Sequence, residues 1–237
     1  MTAPIYVETH VRAPLDRVWQ LTQDTDLHPR WDARFSRITP VEDLAGGGYR
    51  FRYELRLPLH TLVGTGTSLG ERHRPDGTRT SALRFTTPDR LSPLGPGRGY
   101  WRYVPTADGV TFVTGYDYAP GWGRLLDRLV LRRVVGWLTA WSFDRLRIWA
   151  ETGTEPERWP LVSVLAVWRP DRPRASRCLR APRRPAADAD GPAADGRRRG
   201  RADAHRRPTG RRGAATTDPA PSVMDDAPAT LDQLEAP

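Results

Sequence analysis

Alternation of apolar and charged positions dominates the first half of the chain. Residues 49–57 read Tyr-Arg-Phe-Arg-Tyr-Glu-Leu-Arg-Leu, five apolar or aromatic positions interleaved with four charges. A half-buried antiparallel strand requires this period of two. Residues 5–12 alternate in the same way, with Ile5, Val7 and Val11 on one side. Four further runs, 62–71, 81–86, 100–104 and 110–118, read as strands. Pro75-Asp76-Gly77, a Pro/Gly-rich stretch at 93–99 and Thr106-Ala107-Asp108-Gly109 separate them with turn chemistry. Behind the first strand, Pro14 sits at a helix start, and Val18, Trp19 and Leu21 give a short helix an apolar face. Pro29 interrupts the next turn before Trp31, which predicts two short helices rather than one.

After Pro120 the period changes from two to about 3.6 residues. Leu126, Val130, Val134, Trp137, Trp141 and Ile148 fall on one stripe, with Arg124, Arg128, Arg132 and Arg147 away from it. The pattern predicts a long amphipathic helix over 122–151, ended by Gly153. Residues 159–168 add a short apolar stretch, expected to be helical and docked on the domain or a partner. Strand, two short helices, a run of antiparallel strands and one long helix is an α+β order. A strongly curved sheet gripping the long helix accounts for it, and such an arrangement leaves a ligand-sized space between the two.

Composition divides the chain. All 21 aromatic residues lie between Tyr6 and Trp168. Residues 1–168 carry 22 Arg against 18 acids, 169–212 carry 15 Arg against 5 acids, and 213–237 carry 5 acids and no Arg. The net charge of +9 therefore belongs mostly to the stretch after 168, which has too little apolar surface to offset chain entropy. The expected organisation is a domain over 1–152, a short apolar segment over 153–168 and a disordered tail over 169–237. All 37 basic residues are Arg, which excludes Schiff-base and P-loop lysine chemistry. A single cysteine, Cys178, excludes an internal disulfide framework and a cysteine-built zinc site. No apolar run reaches the roughly 18 residues of a membrane span, and the first residues lack a signal pattern. The expectation is a cytoplasmic protein; nothing in the chain specifies its oligomeric state.

Ala13-Pro14-Leu15-Asp16-Arg17-Val18-Trp19, the stretch 24–31 running into Trp31-Asp32, and the segment from Gly99-Tyr100-Trp101 to Tyr118 carry a resemblance. Over residues 3–152 they resemble the START-like, Bet v 1-like (SRPBCC) superfamily, and in particular bacterial polyketide cyclase/dehydrase and lipid-transport proteins. The resemblance implies a helix-grip fold with a mainly apolar cavity. It does not imply a reaction, because the fold hosts carriers and aromatase/cyclases alike.

Gly66-Thr67-Ser68-Leu69-Gly70 matches a nucleophile-elbow pattern, but a hairpin turn follows it where an elbow needs a helix. Asp24, Asp26, His28 and Asp32 could gather around a cation, yet their place between two short helices favours capping. His10 and His60 read as surface and loop residues, and Gly46-Gly47-Gly48 as a turn rather than a phosphate cradle. No metal site and no cofactor are expected. Phe51, Tyr53, Phe85, Trp101, Tyr103, Phe112 and Tyr116 from the strands, with Trp137 and Trp141 from the helix, are the candidate cavity lining. For acid–base chemistry the candidates are Tyr53, Tyr116, Arg84 and Asp144, with Arg84 also readable as outward-facing. The arginine runs between 183 and 212 have no interleaved aromatics for base stacking, so no specific nucleic acid is expected. The resulting expectation is a protein that holds a hydrophobic or polycyclic small molecule, such as a lipid or polyketide. A cyclase-type enzyme and an interaction module using the Arg-rich tail are the alternatives.

Overall fold

The computed structural model describes residues 4–45 and 48–182; Gly46, Gly47 and the arginine runs from 183 onward lie outside it. Seven antiparallel strands form one sheet in the order β1-β7-β6-β5-β4-β3-β2. They are β1 (Ile5–Val11), β2 (Arg37–Asp43), β3 (Tyr49–Arg56), β4 (Thr61–His73), β5 (Arg79–Thr86), β6 (Leu94–Thr106) and β7 (Gly109–Pro120). Helices α1 (Leu15–Gln23) and α2 (His28–Trp31) separate β1 from β2. α3 (Arg124–Leu126) runs through a π-helical segment, Asp127–Leu131, into the long α4 (Arg132–Thr152). This is the helix-grip architecture, with the sheet curved around α4.

The sheet buries its inner face unevenly. Around β1, β7 and the second half of α4 the space is filled: Val7, Val11, Leu21, Trp31, Tyr103, Phe112, Trp141, Phe143 and Leu146 are fully buried. Phe112 stacks on Phe143 at 4.5 Å and on Tyr103 at 4.9 Å. Such pairs add about 0.5–1.5 kcal/mol each beyond the area they bury. Tyr103 donates to Thr22 Oγ1 (2.6 Å) and accepts from Gln23 Nε2 (2.8 Å), so its buried hydroxyl is satisfied. The Thr22 proton is itself taken by the carbonyls of Val18 and Trp19.

Under β3, β4 and β5 the inner face is different, because β4 and the first half of β6 present glycine and serine opposite the rings of β3 and β5. Gly64, Gly66 and Ser68 are paired with Tyr53, Phe51 and Tyr49 across β3–β4, and Gly97 and Gly99 with Phe85 and Leu83 across β5–β6. A Cβ at Gly64 would overlap the Tyr53 ring, one at Gly66 the Phe51 ring, and one at Gly97 the Phe85 ring. The glycines thus let aromatic rings of neighbouring strands lie flat on the sheet. A flat ring lines a space where an upright ring would fill it.

Two expectations are corrected. The helical stripe was to bury Leu126, Val130 and Val134, yet all three are exposed, at 41%, 46% and 52%. The π-helical segment adds a residue to the turn and puts Leu126 and Val130 out of phase with α4; Val134, in the first turn of α4, is exposed beside them. Likewise, order does not stop at 168. Residues 169–182 lie along the outer face of α4: Ala175 and Cys178 are buried, and Glu8 and Leu179 form a β-bridge. Buried Asp144 anchors this segment, accepting hydrogen bonds from Arg174 N (2.7 Å) and Arg177 Nη1 (3.0 Å). It also holds Arg147 at 2.7 Å. The anchors are arginines and one cysteine, so an aromatic census passes over them.

Candidate functional site

Between sheet and helix lies a cavity of about 230 Å³. Phe51, Tyr53, Phe85, Leu55 and Leu62 wall it from the sheet, and Val135 and Leu138 from α4. Of the predicted lining, Phe51, Tyr53, Phe85, Trp101 and Tyr116 border this space. Tyr103, Phe112 and Trp141 do not; they belong to the packed core. Trp137 packs half-buried against the core and is not part of the wall. Burial pushes the Tyr53 phenol up to about 12, so it enters the space as a neutral group.

The polar end of the cavity is built by the turn after α2. Asp32 is fully buried and accepts four hydrogen bonds: from Arg34 N (3.0 Å), Nε (2.9 Å) and Nη2 (2.6 Å), and from His28 Nε2 (3.2 Å). Burial opposes its charge, but the Arg34 guanidinium and these hydrogen bonds outweigh that and hold the carboxyl far below the usual range. Burial also works against Arg34, whose charge Asp32 restores, so its pKa stays above the ordinary value. Burial pushes the His28 imidazole below its ordinary value despite the bond to Asp32. His28 is therefore neutral, stacked on Trp31 at 4.9 Å. Among the described lining residues Arg34 is the one side chain carrying a formal charge. Its fork to Asp32 uses Nε and Nη2, which leaves the Nη1 edge to the Tyr116 side, 5.3 Å from that ring, and to the cavity.

Tyr116 shares a 2.8 Å hydrogen bond with Thr139 Oγ1, and Thr139 donates to the Val135 carbonyl at 2.8 Å. A hydroxyl has one proton to give, so Tyr116 is the donor in that bond and its own proton is committed. Burial further raises the Tyr116 pKa.

The remaining sequence candidates fall elsewhere. Asp24 closes the turn between α1 and α2, its Oδ1 accepting from Asp26 N (2.8 Å) and Leu27 N (3.1 Å), without a side-chain cap on either helix, whereas His28 and Asp32 turn inward and pair. Arg84 is exposed on the outer face of β5, and Asp144 is buried on the far side of α4, so neither reaches the cavity. Ser68 borders the cavity but continues a strand, with no histidine bonded to it among the described residues. His10 lies 3.2 Å from Asp108, and His60 lies 2.6 Å from Asp89. Arg34 itself carries no periodicity signal; only its spacing of two from a buried Asp marks it.

The model of the family described as "Polyketide cyclase / dehydrase and lipid transport" matches residues 2–151. A Bacillus subtilis protein named "Uncharacterized membrane protein YndG" is 39% identical over 170 residues. That match covers 70% of this chain and 63% of the relative, so the chain spans less than two thirds of the relative's length. Among the described residues no helix is long and apolar enough to cross a membrane. Solved structures that it resembles include the human StarD13 lipid transfer and protein localization domain, at 16% identity and a TM-score of 0.47. That similarity covers 62% of this chain and 77% of the other. The Zhui aromatase/cyclase from a Streptomyces species is 15% identical with a TM-score of 0.44, over 64% and 98% of the two chains. With its family model matched along the whole sheet and helix, the chain belongs to the polyketide cyclase/dehydrase and lipid transport family.

Proposed function

We propose that the protein binds an apolar small molecule with an anionic or strongly polarised oxygen at one end, the apolar body against the aromatic wall and the oxygen at Arg34. One observation carries the reading: a single guanidinium borders a mostly apolar space while its counter-ion is buried behind it. Asp32 fixes the guanidinium plane and Tyr116 shares a hydrogen bond with its other side, so the donors left toward the cavity are pre-organised and little rotamer entropy is lost on binding. The flat rings supply apolar contact to a chain or a fused ring system.

The arrangement favours binding over turnover. A cyclase needs a group to give or take a proton; the Tyr116 proton is committed to Thr139, the Tyr53 proton goes to the Thr86 carbonyl (3.2 Å), His28 is bonded to Asp32, and Arg84 and Asp144 face elsewhere. The test is a fluorescent long-chain fatty acid measured against the alcohol of equal length. The acid should bind at least tenfold more tightly, and the Asp32→Asn/Arg34→Gln protein should bind both alike. Equal affinities in the unaltered protein would remove Arg34 from the reading, and no binding of either would remove the ligand-carrying role itself.

A further inference from the structure

The antiparallel topology brings three connections to one end of the sheet: the β3–β4 turn, the β5–β6 loop and the passage from β7 into α3. A hydrogen bond from Gly121 N to the Pro93 carbonyl (2.9 Å) ties the last two together, and His60 to Asp89 (2.6 Å) ties the first two. The cavity reaches this end, since Leu55, Leu62, Thr87, Ser92, Pro93 and Leu94 border it.

Each connection holds large apolar side chains out into solvent. Leu59 is 99% exposed, Leu91 60% and Leu125 72%; Leu57, Trp122 and Leu129 are about half exposed. Between 121 and 130 Asp127 alone is buried, hooked inward by Tyr118 Oη (2.6 Å) and Arg132 Nε (3.0 Å). This hook holds the leucines of the segment away from the sheet. The charge around them is of one sign. Arg90, Arg124, Arg128 and Arg133 are exposed here, and no described carboxylate pairs with them. The carboxylates of this end are already engaged: Asp89 by His60, Asp117 by Arg132, and Asp127 by Arg132 and Tyr118.

We propose that this end is a docking surface for an anionic lipid bilayer. Leucine and tryptophan on projecting turns, ringed by arginines, match a boundary with an apolar interior and an anionic rim. A second copy of the chain fits poorly, because a two-fold contact would set the same arginines against one another. Docked this way, the cavity mouth faces the bilayer. The surface stands independently of what the cavity holds.

The Arg-rich stretch beyond 182 would itself attract anionic vesicles, so the test must read insertion rather than adsorption. That stretch has no aromatic residue, so tryptophan fluorescence reports on the domain alone. The full chain is mixed with phosphatidylcholine vesicles, with or without phosphatidylserine, whose acyl chains are brominated to quench inserted tryptophan. Quenching is expected with phosphatidylserine only, and Trp122→Phe should abolish most of it. Leu125→Ser with Leu129→Ser should weaken partitioning at least tenfold, with thermal unfolding unchanged because both residues are exposed. Arg124→Gln with Arg128→Gln should weaken it by about fivefold per arginine. A second exposed apolar stretch, with Trp168 at 76%, lies beyond the other end of α4 and serves as the control. Quenching that survives Trp122→Phe and disappears with Trp168→Phe would overturn the proposal. So would equal quenching by neutral vesicles, or a dimer in solution that the two leucine substitutions dissolve. A protein that inserts but holds no fluorescent fatty acid would refute the ligand reading and leave this one standing.

Discussion

Replacing Asp32 by Ala tests how the cavity's polar end is held. The substitution strips four hydrogen bonds at once and leaves the Arg34 guanidinium, 16% exposed, without its counter-ion. Breaking a buried pair from one side costs about 3–5 kcal/mol, because the surviving charge stays desolvated. Arg34 borders a cavity that admits water, so the lower end of that range, about 3 kcal/mol, applies here. At about 2–4 °C per kcal/mol for a domain of this size, the melting temperature should fall by about 6–12 °C. The Asp32→Ala/Arg34→Met double variant should recover at least half of the loss, since an apolar replacement of both partners leaves no stranded charge. Urea unfolding followed by tryptophan fluorescence measures all three proteins, and the double-mutant cycle isolates the coupling. A cost below about 1 kcal/mol for Asp32→Ala, additive with Arg34→Met, would mean that water replaces Asp32 at no loss. The pre-organised guanidinium would then be refuted.

Stability should also fall in acid. His28 is pushed down on folding, so the unfolded chain takes up a proton first; the His28 contribution is intact above its ordinary value of 6.5 and declines as pH drops below it. Asp32 is likewise depressed, so its contribution is present above the ordinary 3.8 and is lost as pH falls further. A melting temperature independent of pH between about 7 and 4 would contradict the His28 contribution, and one independent of pH below about 3.8 would contradict that of Asp32. Gly66→Val should push the Phe51 ring off the sheet into the cavity and reduce uptake of a fluorescent fatty acid at least tenfold, while Gly70→Ala, which strains a backbone at φ 114° but meets no neighbouring atom, should lower stability and leave uptake unchanged. Asp144→Ala should cost about 2 kcal/mol, by releasing residues 169–182 from α4, and speed hydrogen exchange there. Unchanged protection of that segment would show that Ala175 and Cys178 hold it unaided.

Strong period-two patterns made most of the sheet readable from residues alone: β3, with Arg50, Arg52 and Arg56 outward, is what alternation demands. β2 was missed because it buries only Ile38, carries Pro40 and shifts register between Pro40 and Glu42. The long helix was legible as a helix, but its buried face was not, since a π-helical turn is invisible to a 3.6-residue count. Of the aromatic residues read as lining, Phe51, Tyr53, Phe85, Trp101 and Tyr116 border the cavity, and Tyr103, Phe112 and Trp141 are core. Phe51, Tyr53 and Phe85 owe their place to glycine on the neighbouring strand, a cross-strand property that no single segment displays. Arg34 was missed for a related reason: its role depends on Asp32 being buried, and burial is a tertiary fact.

The glycine rows bear on how such a protein can diversify. Gly64, Gly66, Gly97 and Gly99 set the cavity's dimensions by what they lack, on strands whose hydrogen bonding is indifferent to the side chain. A single methyl at one of them redraws the compartment locally, while the Phe112–Phe143 core near β1 is untouched. Capacity and foldability are therefore inherited through separate sets of residues, and a lineage can retune the size and shape of the cavity without renegotiating the scaffold.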